Sequence, residues 1–168
     1  EDLPAGGRVL APGDRITPAA AGVCAMAGRT RLTVFRGPSV ALVTTGDEVI
    51  EPSMVPGPGQ VRNANAVLGA SVLSSVGFGP VRTLHSADSP DALEAVVKEA
   101  LGGADLLLAA GGVSMGSRDN VPGVMEKAGF RFLFRKVAQK PGKPLCFAVG
   151  DGKAFFGLPG NPVSVMVS

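Results

Sequence analysis

Tryptophan and tyrosine are absent from this chain of 168 residues, and histidine occurs once, at His85. With phenylalanine as the sole aromatic, stacking of bases on a ring platform is a poor basis for function. A single imidazole excludes histidine-rich metal sites and any catalysis that needs two. Cysteine is nearly missing as well. Cys24 and Cys146 form no metal-spaced pair and read as two reduced, buried thiols of a cytoplasmic protein. Charged residues make up only 18% and nearly balance, at +2, so no strong footprint for nucleic acid is expected. No apolar run approaches the ~20 residues of a membrane span, and no secretory signal opens the chain. Carboxylates, lysines and backbone amides are left to carry any chemistry.

Glycine and proline are plentiful, and one glycine-rich stretch carries the densest signal: Asp105–Asp119, DLLLAAGGVSMGSRD. An apolar run ended by paired glycines predicts a buried strand that turns sharply into a loop. Glycines there take positive φ and let backbone N–H groups line a concavity suited to phosphate oxygens. Pro122, with Val121, Val124, Met125 and Ala128 at helical spacing, puts Asp119 beside a helix start. A plainer reading stands next to this one, with Gly111-Gly112 an ordinary tight turn and Asp119 a helix cap.

The length allows one domain or slightly more. Residues 1–37 differ from the rest: glycine and proline recur around short apolar pieces, and Leu32–Phe35 is expected to be a strand. This segment reads as part of a β-rich module leading in from an adjoining domain. From Ser39 strands and helices alternate. Strands are expected at Val40–Val43, Val81–Leu84, Leu106–Ala110, Phe132–Val137, Leu145–Val149 and Ala154–Leu158, the last two joined by a Gly150-Asp151-Gly152 turn. Helices are expected after Asn65, closed by Gly77, after Ser89-Pro90, over Val121–Ala128 and from Pro162. Such alternation predicts a mostly parallel sheet covered on both faces. The apolar ending PVSVMVS suggests that residues 38–168 form a domain truncated at its C-terminus, in a fragment of a longer protein.

Three strands end in comparable turns: TTGDE (44–48), AGGVSMG (110–116) and LPGNP (158–162). In open α/β sheets ligands bind beyond the carboxyl ends of the strands, where the strand order reverses. The loop from Arg135 to Pro144 adds positive charge, with Pro141 and Pro144 stiffening it around Lys140 and Lys143; a merely solvated basic loop is the alternative. A lysine ~4 Å from a phosphate oxygen is worth roughly 4 kcal/mol at an effective dielectric near 20. Glu48, Asp88 and Asp119 would repel such an anion unless they hold Mg²⁺ or position a nucleophile. Lysines for the anion with acids for a metal is the logic of phosphoryl and nucleotidyl transfer.

TTGDEV, a following N-A-N, SADSPDAL, GGVSMGSRD, KVAQKPGKP and FFGLPGNPVS, in this order, resemble the MoeA/gephyrin E-domain family of molybdopterin molybdenumtransferases. The resemblance spans about residues 38–168. It implies a MogA-like three-layer α/β/α sandwich within a multidomain, homodimeric enzyme. It also implies a reaction in which adenylated molybdopterin receives molybdate and releases AMP, with Mg²⁺ involved. By motif position, Glu48, Asp88 and Asp119 match the family's functional acids, with Asp88 and Asp119 toward the metal. Lys136 and Lys140 match its functional lysines, and Lys143 shares their loop. Gly111, Gly112 and Ser114 would seat the pterin phosphate, Gly116 and Asn161 are also implied to bind the cofactor, and Ser164 after LPGNP lies where oxyanion contacts are expected. Asn63 stands where many relatives carry an acid and is not assigned to metal.

Rival readings share the fold. Molybdopterin adenylyltransferases carry GGTG in place of GGVS and lack the KPGKP and LPGNP loops. A gephyrin-like scaffold would need a receptor groove for which no aromatic-rich stretch is present. A nicotinamide-nucleotide-processing relative would lack the LPGNP helix start.

Overall fold

The computed structural model describes residues 6–113 and 119–168. The chain divides into two compact units, residues 1–36 and 37–168. The first contains one helix, α1 (Pro18–Met26), and no strand among its described residues. Thr17 caps α1, its Oγ1 accepting from the Ala20 N–H at 3.1 Å, and Pro18 takes the first helical position. The strand expected at Leu32–Phe35 is corrected here. A strand needs a partner ladder, and no described strand pairs with these residues; Phe35 is 84% exposed. The Thr-Pro start of α1 was a legible signal hidden among other glycines and prolines.

The second unit runs β1 (Val40–Thr45), β2 (Val49–Ile50), β3 (Val61–Arg62), α2 (Ala64–Ser75), β4 (Val81–Ser86), α3 (Pro90–Leu101), β5 (Leu106–Ala110), α4 (Val121–Lys127), β6 (Arg131–Phe134), β7 (Cys146–Gly150), β8 (Lys153–Leu158) and α5 (Pro162–Val167). Six strands form one sheet in the order β4-β1-β5-β8-β7-β6, and β2 pairs with β3 apart from it. Strands β4, β1, β5 and β8 are parallel; β7 and β6 complete the sheet antiparallel to their neighbours. The expected α/β architecture with a mostly parallel sheet is therefore present. No described helix is long and apolar enough to cross a membrane.

Every residue of β1 is buried, as a central strand covered on both faces must be. Because successive strand residues point to opposite faces, each central strand feeds two cores. Ala41, Val43, Leu107 and Ala109 join Leu93 and Val97 of α3 and Val121 and Met125 of α4. Leu42, Ala110 and Leu158 join Leu68 of α2 and Val165 of α5 on the other side. Each fully buried Leu, Val or Phe contributes roughly 1.5–3 kcal/mol over its exposed state. Gly69 lets α2 lie close on β1, since a Cβ there would fall 2.6 Å from Leu42 Cδ2.

Two expectations shift in detail. Helix α2 is capped by Asn63, whose Oδ1 accepts from the Ala66 N–H at 3.1 Å, not by Asn65. Strand β6 ends at Phe134, short of Val137, because the pairing with β7 slips between Phe132 and Phe134 and the Val137 N–H turns to the Lys143 carbonyl. The small β2–β3 pair was not foreseen. The turn between β7 and β8 is as expected, with Asp151 at φ 48° and Gly152 at φ 69°. Both cysteines are free and buried, also as expected.

The winding of the chain positions the site. From β1 the chain passes through α2 to β4 on one side, then returns through α3 on the opposite face to β5 on the other. The order reverses between β1 and β5, so the turns that follow these strands border a crevice.

Candidate functional site

Gly111 and Gly112 follow β5 with φ of 99° and 61°. A Cβ on Gly111 would lie 2.8 Å from Thr45 Oγ1 and 3.1 Å from the Thr45 carbonyl oxygen. Both conformation and space therefore demand glycine where the β5 turn crosses the β1 turn. The Gly111 N–H donates to the Leu158 carbonyl at 3.1 Å, and the Gly112 carbonyl accepts from the Val121 N–H at 3.3 Å. Gly111 thus shapes the loop and spends its own amide within the protein.

A cleft of about 490 Å³ opens at this crossing. Glu48, Asp88, Asp119, Gly111 and Gly112, all singled out from the sequence, line it. Asp88 is held by its backbone: its N–H donates to Asp47 Oδ1 at 3.0 Å, and its carbonyl accepts from Asn120 Nδ2 at 2.7 Å. The turns after β1, β4 and β5 are joined by these two bonds. Asn120, not Asp119, is the N-cap of α4, and it makes no side-chain cap bond. The plainer reading of Asp119 as a helix cap is therefore set aside.

The opposite wall is built from the N-A-N motif. Buried Asn63 donates from Nδ2 to Thr44 Oγ1 at 2.8 Å, and that hydroxyl meets His85 Nδ1 at 3.1 Å. Asn65 Nδ2 donates to the Gly160 carbonyl at 2.7 Å, tying the start of α2 to the LPGNP turn. Its Oδ1 is buried without a hydrogen-bond partner among the described residues, an arrangement that costs free energy unless a donor satisfies it.

Other expected site residues stand apart. Lys136, Lys140 and Lys143 are exposed on the β6–β7 loop and are not part of the described lining, although Pro144 of that loop is. Asn161 caps α5, its Oδ1 accepting from the Val163 N–H at 2.9 Å, and Ser164 is buried within that helix. Neither lines the cleft. Ser114 and Gly116 lie outside the described residues. Sequence reading singled out none of Asp47, Arg62, Asn65 and Asn120 as site residues, although they hold or line the cleft; the TTGDE turn contains the first and the N-A-N motif the third.

Three carboxylates and one guanidinium, Arg62, supply the charge of the described lining. No cluster of three or more His, Cys, Asp or Glu fit to hold a metal ion occurs among the described residues. A metal caged wholly by the described residues is therefore not built here. Carboxylate oxygens from Asp88 and Asp119 suit a hard cation that completes its shell with phosphate oxygens and water, the habit of Mg²⁺. Away from the cleft, burial pushes the Cys146 thiol up, against the opposing effects of a Gly157 hydrogen bond and the Arg135 charge. The thiol stays protonated and unreactive.

Residues 41–168 match the family model described as a probable molybdopterin binding domain. The chain is 38% identical over 164 residues to a molybdopterin molybdenumtransferase of Staphylococcus epidermidis, and 36% identical over 167 residues to one of Bacillus subtilis. These alignments take in 96% and 99% of this chain but 39% of each relative, so the chain spans about two fifths of the length of the curated relatives it matches. Among solved structures, a molybdopterin biosynthesis MoeA protein from Pyrococcus horikosii superimposes with a TM-score of 0.77 at 28% identity, covering 95% of this chain and 39% of that one. A molybdopterin biosynthesis Mog protein from Mycobacterium ulcerans, at 18% identity and a TM-score of 0.58, covers 77% of this chain and 88% of its own and shares the fold. The resemblance read from the sequence motifs is borne out.

Proposed function

Because the chain belongs to the probable molybdopterin binding domain family, we propose that it forms the substrate-holding part of a molybdopterin molybdenumtransferase. In this reading the cleft takes adenylated molybdopterin, molybdate enters the dithiolene, and AMP leaves. The observation that carries the reading is the convergence of Glu48, Asp88 and Asp119, from three separate turns, on one cleft beside the Gly111-Gly112 crossing.

Asp88 and Asp119 would hold Mg²⁺, which when bound neutralises phosphate charge and lowers the barrier to displacement at phosphorus. The bonds from Asp47 and Asn120 fix the Asp88 backbone, so its carboxylate is presented from a rigid turn. Glu48 extends the acidic wall. Gly112, where a Cβ would press on Thr45 and Val121, fixes the turn beside the acids, and Ser114 and Gly116 would contact the pterin phosphate. Lys136, Lys140, Lys143, Asn161 and Ser164 would meet the part of the ligand, and the molybdate, that reaches outward along the carboxyl edge of the sheet. The whole enzyme would act as a homodimer in the cytoplasm.

The test is AMP release from adenylated molybdopterin by the full-length protein. Asp119→Ala should lower turnover by roughly 10²-fold or more, the scale of a lost positioning or acid–base group, while the variant still unfolds in one cooperative transition. A folded Asp119→Ala variant with full activity would remove Asp119 from the mechanism.

A further inference from the structure

We propose that Arg62 is the cation of the cleft that receives a phosphate group of the ligand; the proposal rests on the molybdopterin reading above and adds a residue to it. Arg62 lies on β3, whose backbone is fixed on both sides. The Val61 N–H donates to the Glu48 carbonyl and the Asn63 N–H to the Ile50 carbonyl, each at 2.8 Å. The side chain is then held at its neck, with Nε donating to the Pro52 carbonyl at 3.0 Å and the Met54 carbonyl at 3.1 Å. Those bonds use one N–H of the five that a guanidinium carries. The donors on Nη1 and Nη2 bond to no described residue.

This differs from other arginines of the same unit. Arg82 is paired with Glu99 and Arg135 with Glu126. Arg62 shares a cleft with three carboxylates and has no carboxylate partner among the described residues. A structural pin needs only Nε, whereas the remaining fork has the geometry that pairs bidentately with phosphate oxygens. The charge is also needed there. A phosphate entering a lining of Glu48, Asp88 and Asp119 meets repulsion, and Arg62 is the sole Lys or Arg among the described lining residues that can oppose it without a metal.

The experiment is a calorimetric titration of the chain, Arg62→Gln and Arg62→Lys with inorganic pyrophosphate in metal-free buffer at several salt concentrations, repeated with adenylated molybdopterin. Arg62→Gln should bind pyrophosphate roughly ten- to a hundredfold more weakly, as for a lost charge-assisted hydrogen bond. Its affinity should also depend less steeply on salt, a change that a purely structural role would not produce. Arg62→Lys, which keeps the charge and loses the fork, should recover only part of the affinity; if Arg62→Gln fails to fold, this variant alone decides, and wild-type affinity in it overturns the proposal. Equal pyrophosphate binding by Arg62→Gln overturns it too, as does failure of the unaltered chain to bind pyrophosphate. Pyrophosphate binding that depends on Arg62, without binding of adenylated molybdopterin, upholds Arg62 and defeats the molybdopterin reading. Adenylated molybdopterin bound equally by Arg62→Gln does the reverse.

Discussion

Glu48, Asp88 and Asp119 come from turns that follow three neighbouring parallel strands, β1, β4 and β5, whereas Lys136, Lys140 and Lys143 sit on the loop between β6 and β7 at the far edge of the same sheet. Both regions lie at the carboxyl end of the parallel strands. They differ in distance from the point where the strand order reverses. Strands lie ~4.8 Å apart, so β6, three places from β5, is roughly 14 Å from the crevice. Only Pro144, at the inner end of that loop, reaches the lining. Position in the strand order, more than the chemistry of a motif, decides which charges share a cleft.

Disrupting the acidic side at its crossing should have the largest effect. Gly111→Ala must adopt a φ near 99° and press on Thr45 Oγ1 and its carbonyl. A loss of roughly 2–4 kcal/mol is expected from strain and overpacking together, with pyrophosphate affinity falling beyond detection. Chemical denaturation and calorimetry on the same sample check both; a variant of unchanged stability would mean that the crossing is looser than the geometry implies.

Asn63→Ala comes next. It removes the α2 cap and the buried bond to Thr44, at a cost of about 1–3 kcal/mol. Arg62 and Asn65 flank that residue, so ligand affinity should fall along with the denaturation midpoint. Affinity that survives the loss of stability would uncouple the wall from the site.

The smallest effect is expected on the basic side. Lys140→Ala combined with Lys143→Ala should leave pyrophosphate binding within about twofold, since exposed charges outside the cleft contribute little. The same double variant should weaken adenylated molybdopterin more, because only a longer ligand reaches the outer loop. A strong loss with pyrophosphate would place the anion between the two regions.

Much of this was legible in the residues themselves. The apolar runs of β1, β5 and β8, the Ser89-Pro90 start of α3 and the Asp151-Gly152 turn follow from local spacing and turn chemistry. The acids at the cleft were legible because each closes a strand in a glycine- or proline-punctuated turn. What escaped depends on tertiary neighbours. Arg62 carries no signal in the sequence; the carbonyls of Pro52 and Met54, which fix its neck, are tertiary neighbours. Asn65 reads as a cap until Asn63 takes that task and frees it to hold Gly160. Sequence gives the loop of the lysines but not its distance from the β1/β5 crevice. Leu32–Phe35 has strand composition, but no described strand pairs with it.

The most direct test is a calorimetric titration of this chain with adenylated molybdopterin in Mg²⁺, with ATP as the comparison ligand. The account predicts saturable one-site binding of the adenylate and little affinity for ATP. Binding of ATP as tight as that of the adenylate would contradict it and point to adenylyl transfer on the same fold.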